Sequence, residues 1–272
     1  MLLIEAIKQY CNIYCICLEE RNDRYECVYE EFNKIGIHNL VYFHRPKRHE
    51  KGGVYGNFES ILWWINHSLT LDPSKLILIF EDDVCFSVNR FSQIQFPNNF
   101  IGNTDKWDTI RLGYWKGIFI EKLYEDNSKK TNFYRGNCRA THAIIWSPVF
   151  AKKVLNQNIS IEKRGIIDWY LSEISGRHYL LNNAVCFQRP GMTTDVVWPF
   201  KDVQDNFQKN PIQFQLKYQE RTHNAWNCIG RFISNNFLCG LFQIGIVMDW
   251  VDIWRIIRNM KTYIIFKNKC LL

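Results

Sequence analysis

The chain has 272 residues, of which 47% are hydrophobic and 15% aromatic, with only 14 Gly and 7 Pro. That length and apolar content suit one large domain, or a domain with an appendage, and exclude a long disordered chain. The net charge of +7, from 34 basic and 27 acidic residues spread along the sequence, suits an anionic small molecule and demands no nucleic acid.

Glu5, Lys8 and Gln9 interrupt the opening apolar residues, so no secretory signal is expected. Asn12 to Leu18 reads as a first strand. Tyr25, Val28, Tyr29, Phe32 and Ile35 then recur at helical spacing, with Asn22 or Asp23 able to cap the helix and Gly36 to end it. Asn39 to Phe43 is a second strand, and this strand–helix–strand opening points to an α/β layer. A basic loop, Arg45 to Lys51, runs into Gly52 and Gly53. The next helix places Tyr55, Phe58, Leu62, Ile65 and Leu69 on one face, with the small residues Gly56 and Ser60 a turn apart.

Leu76 to Val84 reads LILIFEDDV: five apolar residues stop at Glu81, Asp82 and Asp83. Such a run fits a strand buried on both faces. Its end would set three carboxylates at the carboxyl edge of a sheet, where open α/β folds bind ligands. Adjacent carboxylates repel one another, so they are either solvated as an acidic turn or joined by a cation. Oxygen ligands suit Mg²⁺ or Mn²⁺, which in turn hold phosphate oxygens.

Beyond it, Trp107 to Leu112 and Thr141 to Trp146 read as strands. Ser147-Pro148 opens a helix through about Leu155, Asp168 starts or precedes another, and His178 to Phe187 returns to strand character. The ten cysteines lie mostly in apolar segments and lack a zinc-spaced His partner, which fits free thiols in a reducing, cytoplasmic setting. A boundary falls in the polar stretch from Val203 to Asn224, dividing the chain into 1–204 and a helical extension, 205–272. Within the extension the uncharged run Asn235 to Met248 is 14 residues long, short of the ~20 that span a bilayer. It suits a helix packed on the main domain, a peripheral membrane contact, or a homodimer.

These segments together resemble glycosyltransferase family 25, which includes lipooligosaccharide and collagen galactosyltransferases. Cys17-Leu18-Glu19-Glu20-Arg21-Asn22-Asp23-Arg24 is similar to that family's opening strand and its Arg-bearing turn. Gly53 to Ser60 resembles its Gly-x-x-Gly-Cys-x-x-Ser-His motif, and Leu78 to Val84 its strand ending in Glu-Asp-Asp. Thr141 to Ser147 resembles its Thr-His-Ala-Tyr strand, Ile167 to Leu171 its Asp-x-x-Leu motif, and Gln188 to Asp195 its closing segment. The likeness covers roughly residues 12 to 196. The chain departs from the pattern at Cys17, where Asn is usual, and at Asn57 and Ile61, which replace Cys and His.

The resemblance implies a GT-A type α/β fold, with a mixed central sheet flanked by helices. It also implies a UDP-sugar donor carrying galactose or glucose, a Mn²⁺ or Mg²⁺ cofactor, and inversion at the anomeric carbon. The acceptor would be a glycan, a glycolipid or a protein hydroxyl. Glu81 and Asp83 are then the metal candidates, and Arg21, Arg24, Gly53, Gly56, Ser60 and Asp82 the donor-binding ones, with Asp82 alternatively fixing the loop. Asp168 is the candidate base, or simply a helix cap, and Asp195 a second candidate for base or metal. His142 is expected to orient a loop or fill the core. Trp107, Trp115, Trp146, Trp169 and Trp198 are core by default, with sugar stacking as the alternative. The altered motif motivates a different reading, a non-catalytic nucleotide-sugar or glycan-binding member of the same fold. Nucleic-acid binding and two-metal phosphodiester chemistry fit the acidic cluster less well.

Overall fold

The alternation of faces along the apolar strands decides the layering. In β1 (Cys11–Ile16), Ile13 and Cys15 point to one side of the sheet and Tyr14 and Ile16 to the other. In β3 (Leu76–Glu81), Leu78 and Phe80 oppose Ile77 and Ile79 in the same way. Both sides are apolar, so both must be covered, as in the parallel part of a buried sheet. A computed structural model of the chain describes residues 1–114, 117–124, 130–138, 140–157, 167–174, 177–181 and 184–189. All of them fall within the first of the chain's two units, Met1–Leu216.

Helix α1 (Leu3–Tyr10) leads directly into β1 and was not foreseen from the sequence, because its polar residues mask a short apolar face. Helix α2 (Asn22–Lys34) buries Val28 and Phe32 beside α1 on one side of the sheet, and Gly36 (φ +67°) turns the chain out of it. A 3-10 turn (His38–Leu40) enters β2 (Val41–His44). Helix α3 (Gly53–Leu71) covers the opposite side. Its buried stripe is Phe58, Ile61, Trp64 and Ile65, rotated slightly from the expected one, with Leu62 and Leu69 only half-buried.

After β3 come β4 (Val84–Phe86), the short helices α4 (Val88–Phe91) and α5 (Asn98–Gly102), and β5 (Thr109–Arg111). The antiparallel pair β6 (Gly117–Tyr124) and β7 (Lys130–Cys138) follows, then β8 (Ala143–Trp146), α6 (Pro148–Leu155) and α7 (Ile167–Ile174). Ser147 caps α6 as its position before Pro148 predicts, accepting from Phe150 N at 3.1 Å. The expected strand from His178 to Phe187 is in fact two strands, β9 (His178–Leu181) and β10 (Cys186–Gln188), which join different sheets.

The main sheet has eight strands in the order β2-β1-β3-β8-β5-β9-β7-β6. Its pairs are parallel across β2, β1 and β3 and between β5 and β9, and antiparallel elsewhere. The expected mixed sheet flanked by helices is what the chain forms. Strands β4 and β10 make a separate antiparallel ribbon. No helix among the described residues is long and apolar enough to cross a membrane. The extension expected at 205–272 lies outside the described residues.

Candidate functional site

The three parallel strands end level: Ile16 pairs in register with His44 on β2 and with Glu81 on β3. From β1 the chain crosses one face through α2 to reach β2. From β2 it crosses the other face through α3 and arrives on the far side of β1. The connections therefore diverge between β1 and β3, and ligands of open α/β sheets bind in the crevice at such a switch point. Glu81, Asp82 and Asp83 stand at the carboxyl end of β3, beside that switch point.

Each of the three acids has a different surrounding. Glu81 continues the face of Ile77 and Ile79 and so points toward α3. Its Oε1 accepts from Asn57 Nδ2 at 2.9 Å and from Thr141 Oγ1 at 2.6 Å. Its backbone N–H donates to His142 O, which ties β3 to the entry of β8. Asp82 points the opposite way, toward α2. It is buried and receives Arg24 Nη1 at 2.6 Å. Burial pushes the Asp82 carboxyl above the usual carboxylate range, with the Arg24 charge and hydrogen bond opposing it.

Asp83 turns out of the strand. Its Oδ2 accepts from Gln188 Nε2 at 3.1 Å and its carbonyl accepts from Arg189 N–H. Its Oδ1 is buried with no hydrogen-bond partner. Burial first, and then the charges of Glu81 and Asp82, push its carboxyl up to about 8. The β4–β10 ribbon pairs Gln188 with Val84, and so delivers Gln188 to Asp83. Buried Glu31 on α2 braces this corner, accepting from Phe86 N–H at 2.9 Å and Arg189 Nη2 at 3.0 Å.

The donor-binding candidates divide. Arg24 is turned inward onto Asp82, so those two candidates hold each other. Arg21 forks onto Asp23, with contacts of 2.9 and 2.7 Å. Arg45, from the basic loop, clamps the turn between them, reaching Glu19 O and Asn22 Oδ1 at 2.7 Å each. Gly53 is the first residue of α3, following Gly52 at φ +95°. At Gly56 an added Cβ would come within 3.1 Å of His49 Cβ, so its bareness admits the basic loop. Ser60 is buried in the same helix.

Cys17 follows β1, with its thiol beside Asp82 and 3.6 Å from Arg21 O. Burial, and then Asp82, push that thiol up to about 12, so it is a neutral donor and no nucleophile. His142 is fully buried, with Nε2 3.4 Å from Cys186 O, and burial draws its pKa down to about 4. This is the core role expected of it. Trp107 and Trp146 are buried core as well, not sugar platforms. Asp168 is the second residue of α7, and its side chain is outside the described residues, as is Asp195 altogether.

The sequence reading missed Asn57 and Thr141 as partners of Glu81, although both stood inside motifs it singled out. Glu31 and Arg189 carried no local signal, because their contact spans 158 positions. Among the described residues no group of three or more His, Cys, Asp or Glu side chains is placed to hold a metal ion. The carboxylates fit one nonetheless. Mg²⁺ and Mn²⁺ need only one or two of them, with water and phosphate oxygens completing the shell, and the unpartnered Asp83 Oδ1 is a hard oxygen donor of the right kind.

No protein-family model matches the chain, and no curated protein does. Among solved structures it is similar to a glycosyltransferase involved in the glycosylation of the major capsid of PBCV-1. That match has 13% identity and a TM-score of 0.39, and covers 68% of this chain and 94% of the other. It is also similar to A197 from STIV, at 10% identity and a TM-score of 0.41, covering 71% of this chain and 98% of the other. Likenesses at this level carry no inference about activity.

Proposed function

We propose that the chain is a GT-A type glycosyltransferase. It moves a hexose, galactose or glucose, from a UDP-sugar to a hydroxyl of a glycan, glycolipid or protein, with inversion. One observation carries the reading: a carboxylate triplet at the switch-point crevice, with Glu81 pinned by Asn57 and Thr141 and Asp83 keeping a buried, unpartnered oxygen. The likeness of the motifs to glycosyltransferase family 25 supports it.

In this reading Glu81 and Asp83 hold Mn²⁺ or Mg²⁺, which supplies charge neutralisation for the departing diphosphate. The Arg24–Asp82 pair fixes the loop from inside, which holds the two outer carboxylates in place at the end of β3. Arg45 fixes the β1–α2 turn on which the donor would lie. The acceptor hydroxyl must lose a proton as it attacks. Asp168 is our candidate to take it, with Asp195 the alternative. The helix that Asp168 opens packs against α3 through Tyr170 on Phe58, the neighbour of Asn57, with ring centroids 5.8 Å apart.

The test is release of UDP from a panel of UDP-sugars by the purified protein, with Mn²⁺ and with chelator. Metal-dependent release from one sugar is expected, and Asp83→Ala should abolish it while leaving the circular dichroism spectrum unchanged. Full activity in that variant overturns the metal assignment. Silence across the panel, together with no UDP binding, overturns the transferase and leaves a non-catalytic glycan-binding module.

A further inference from the structure

Among the described strands the main sheet ends on β2 and β6, and these two edges are not alike. Exposed strand edges invite pairing with another chain, and proteins guard them with charged side chains and bulges. Strand β6 carries Glu121 and Lys122 and shifts its register against β7 twice. Strand β2 reads Val-Tyr-Phe-His, with no charged residue, and keeps its register with β1 throughout. Arg45 follows at once, but its guanidinium is turned back onto the β1–α2 turn.

The backbone shows which groups of β2 face outward. Cys17 N–H donates to His44 O and Glu19 N–H to Pro46 O, so residues 44 and 46 face β1. By alternation along an extended chain, Phe43 and Arg45 direct their N–H and C=O groups to the open side. Val41 joins them with its C=O alone, because its N–H donates to His38 O. A bilayer cannot satisfy such groups, whereas a second strand can.

The side chains beside this edge are apolar and accessible. Tyr42 is 55% exposed, Trp63 48%, Leu40 42% and Tyr29 38%. Tyr42 lies on the α3 side, 5.7 Å from Tyr14 between ring centroids, as do His44 and Trp63, stacked at 4.8 Å. Tyr29 lies on the α2 side, beside Phe43.

We propose that β2 pairs with β2 of a second copy of this chain, antiparallel, about a two-fold axis at Phe43. In that register the two Phe43 residues exchange both hydrogen bonds, and each Arg45 N–H donates to Val41 C=O of the other copy. Every outward N–H of the strand is then used. Tyr42 stands directly opposite His44 of the other copy, beside the Trp63 stacked on it, and this aromatic pair forms twice. The basic loops, Arg45 to Lys51, go to opposite ends of the interface, where each meets the uncharged Asn39 to Val41 of the other copy rather than its like. The four exposed side chains offer on the order of 400 Å² per copy, and with the strand backbone the pair approaches the low end of specific interfaces, about 1,200 Å² in total.

The test is sedimentation equilibrium of the full-length protein from roughly 1 to 200 μM, the range suited to an interface of this size, with hydrogen exchange measured at both ends. A monomer–dimer equilibrium is expected, with the Phe43 and Arg45 amides exchanging more slowly at high concentration. Tyr42→Lys supplies the missing guard charge at an exposed position, and should keep the protein monomeric with an unchanged circular dichroism spectrum. Trp63→Ala should weaken the dimer at least about tenfold. The wild-type amides report the pairing even where a variant fails to fold. A monomer across the whole range overturns the proposal and leaves the edge to a strand of some other protein. A dimer that leaves those amides unprotected, or that Tyr42→Lys does not disrupt, uses another register or surface and overturns it equally. The transferase reading stands or falls independently of all three results.

Discussion

Arg24 and Asp82 are both charged and both nearly inaccessible, with side-chain exposures of 8% and 9%. Burial raises the Asp82 carboxyl even with the guanidinium 2.6 Å away, so the attraction does not fully offset the desolvation. The pair therefore contributes position more than stability. Removing one partner strands the other charge, and Arg24→Met or Asp82→Leu alone should each cost about 3–5 kcal/mol in urea denaturation. The double variant should cost clearly less than the sum of the two. Additive losses would show that the two residues act separately. Gly113 makes a similar point about space: a Cβ there would lie 2.1 Å from His142 Nε2 and 2.5 Å from Cys186 O. The bare backbone at Gly113 is what lets the buried imidazole reach its carbonyl.

Strand β9 carries the clearest pH dependence among the elements. His178 at its start places Nε2 2.9 Å from Leu171 O and Nδ1 2.6 Å from Thr109 Oγ1. A carbonyl only accepts, so Nε2 bears the proton and Nδ1 accepts from the threonine. This links α7, β9 and β5 through a neutral ring. Protonation would force the Thr109 bond to reverse, with Nδ1 donating to the hydroxyl oxygen, and would charge a buried site; burial draws the His178 pKa from 6.5 down to about 4. A folded-state pKa below the unfolded one means that the unfolded chain binds more protons between those limits. The stabilisation is thus complete above pH 6.5 and is lost as pH falls toward 4, on the order of 3 kcal/mol. Comparing wild-type and His178→Gln denaturation at pH 7 and pH 4.5 isolates it, because titrations common to both proteins, Asp83 included, cancel. The wild type should lose more stability on acidification than the variant. Equal losses would sink the assignment.

At the scale of the whole molecule, several of the arginines among the described residues are engaged with the chain itself. Arg24, Arg48, Arg177 and Arg189 are paired with carboxylates, and Arg45 holds backbone carbonyls. Cations paired in this way are less available to a phosphate backbone, so the net charge of +7 is not expected to translate into nucleic-acid binding. Gel-shift assays with single- and double-stranded RNA and DNA at low salt should show no retention. Binding that falls steeply with added salt would instead revive the nucleic-acid reading.

The sequence by itself determined the layered α/β core and the place of the acids. Five apolar residues ending in three carboxylates form a buried strand stopping at a sheet edge, because local patterning alone dictates where burial must end. It also marked α2, α3 and α6 through helical spacing, Gly36 and Ser147-Pro148. It did not reveal the β6–β7 pair, because the apolar run Ile118–Ile120 is only three residues long before Glu121 and Lys122 and β7 is largely polar, nor the division of β9 from β10. Only the tertiary structure decided what each acid does. Glu81, Asp82 and Asp83 are neighbours in the chain, yet the alternation of a strand sends the first toward α3 and the second toward α2, while the third turns to the β4–β10 ribbon. Their partners Asn57, Arg24 and Gln188 lie 24, 58 and 105 positions away, so which carboxylate is pinned, paired or left with an open oxygen is a property of packing rather than of the motif.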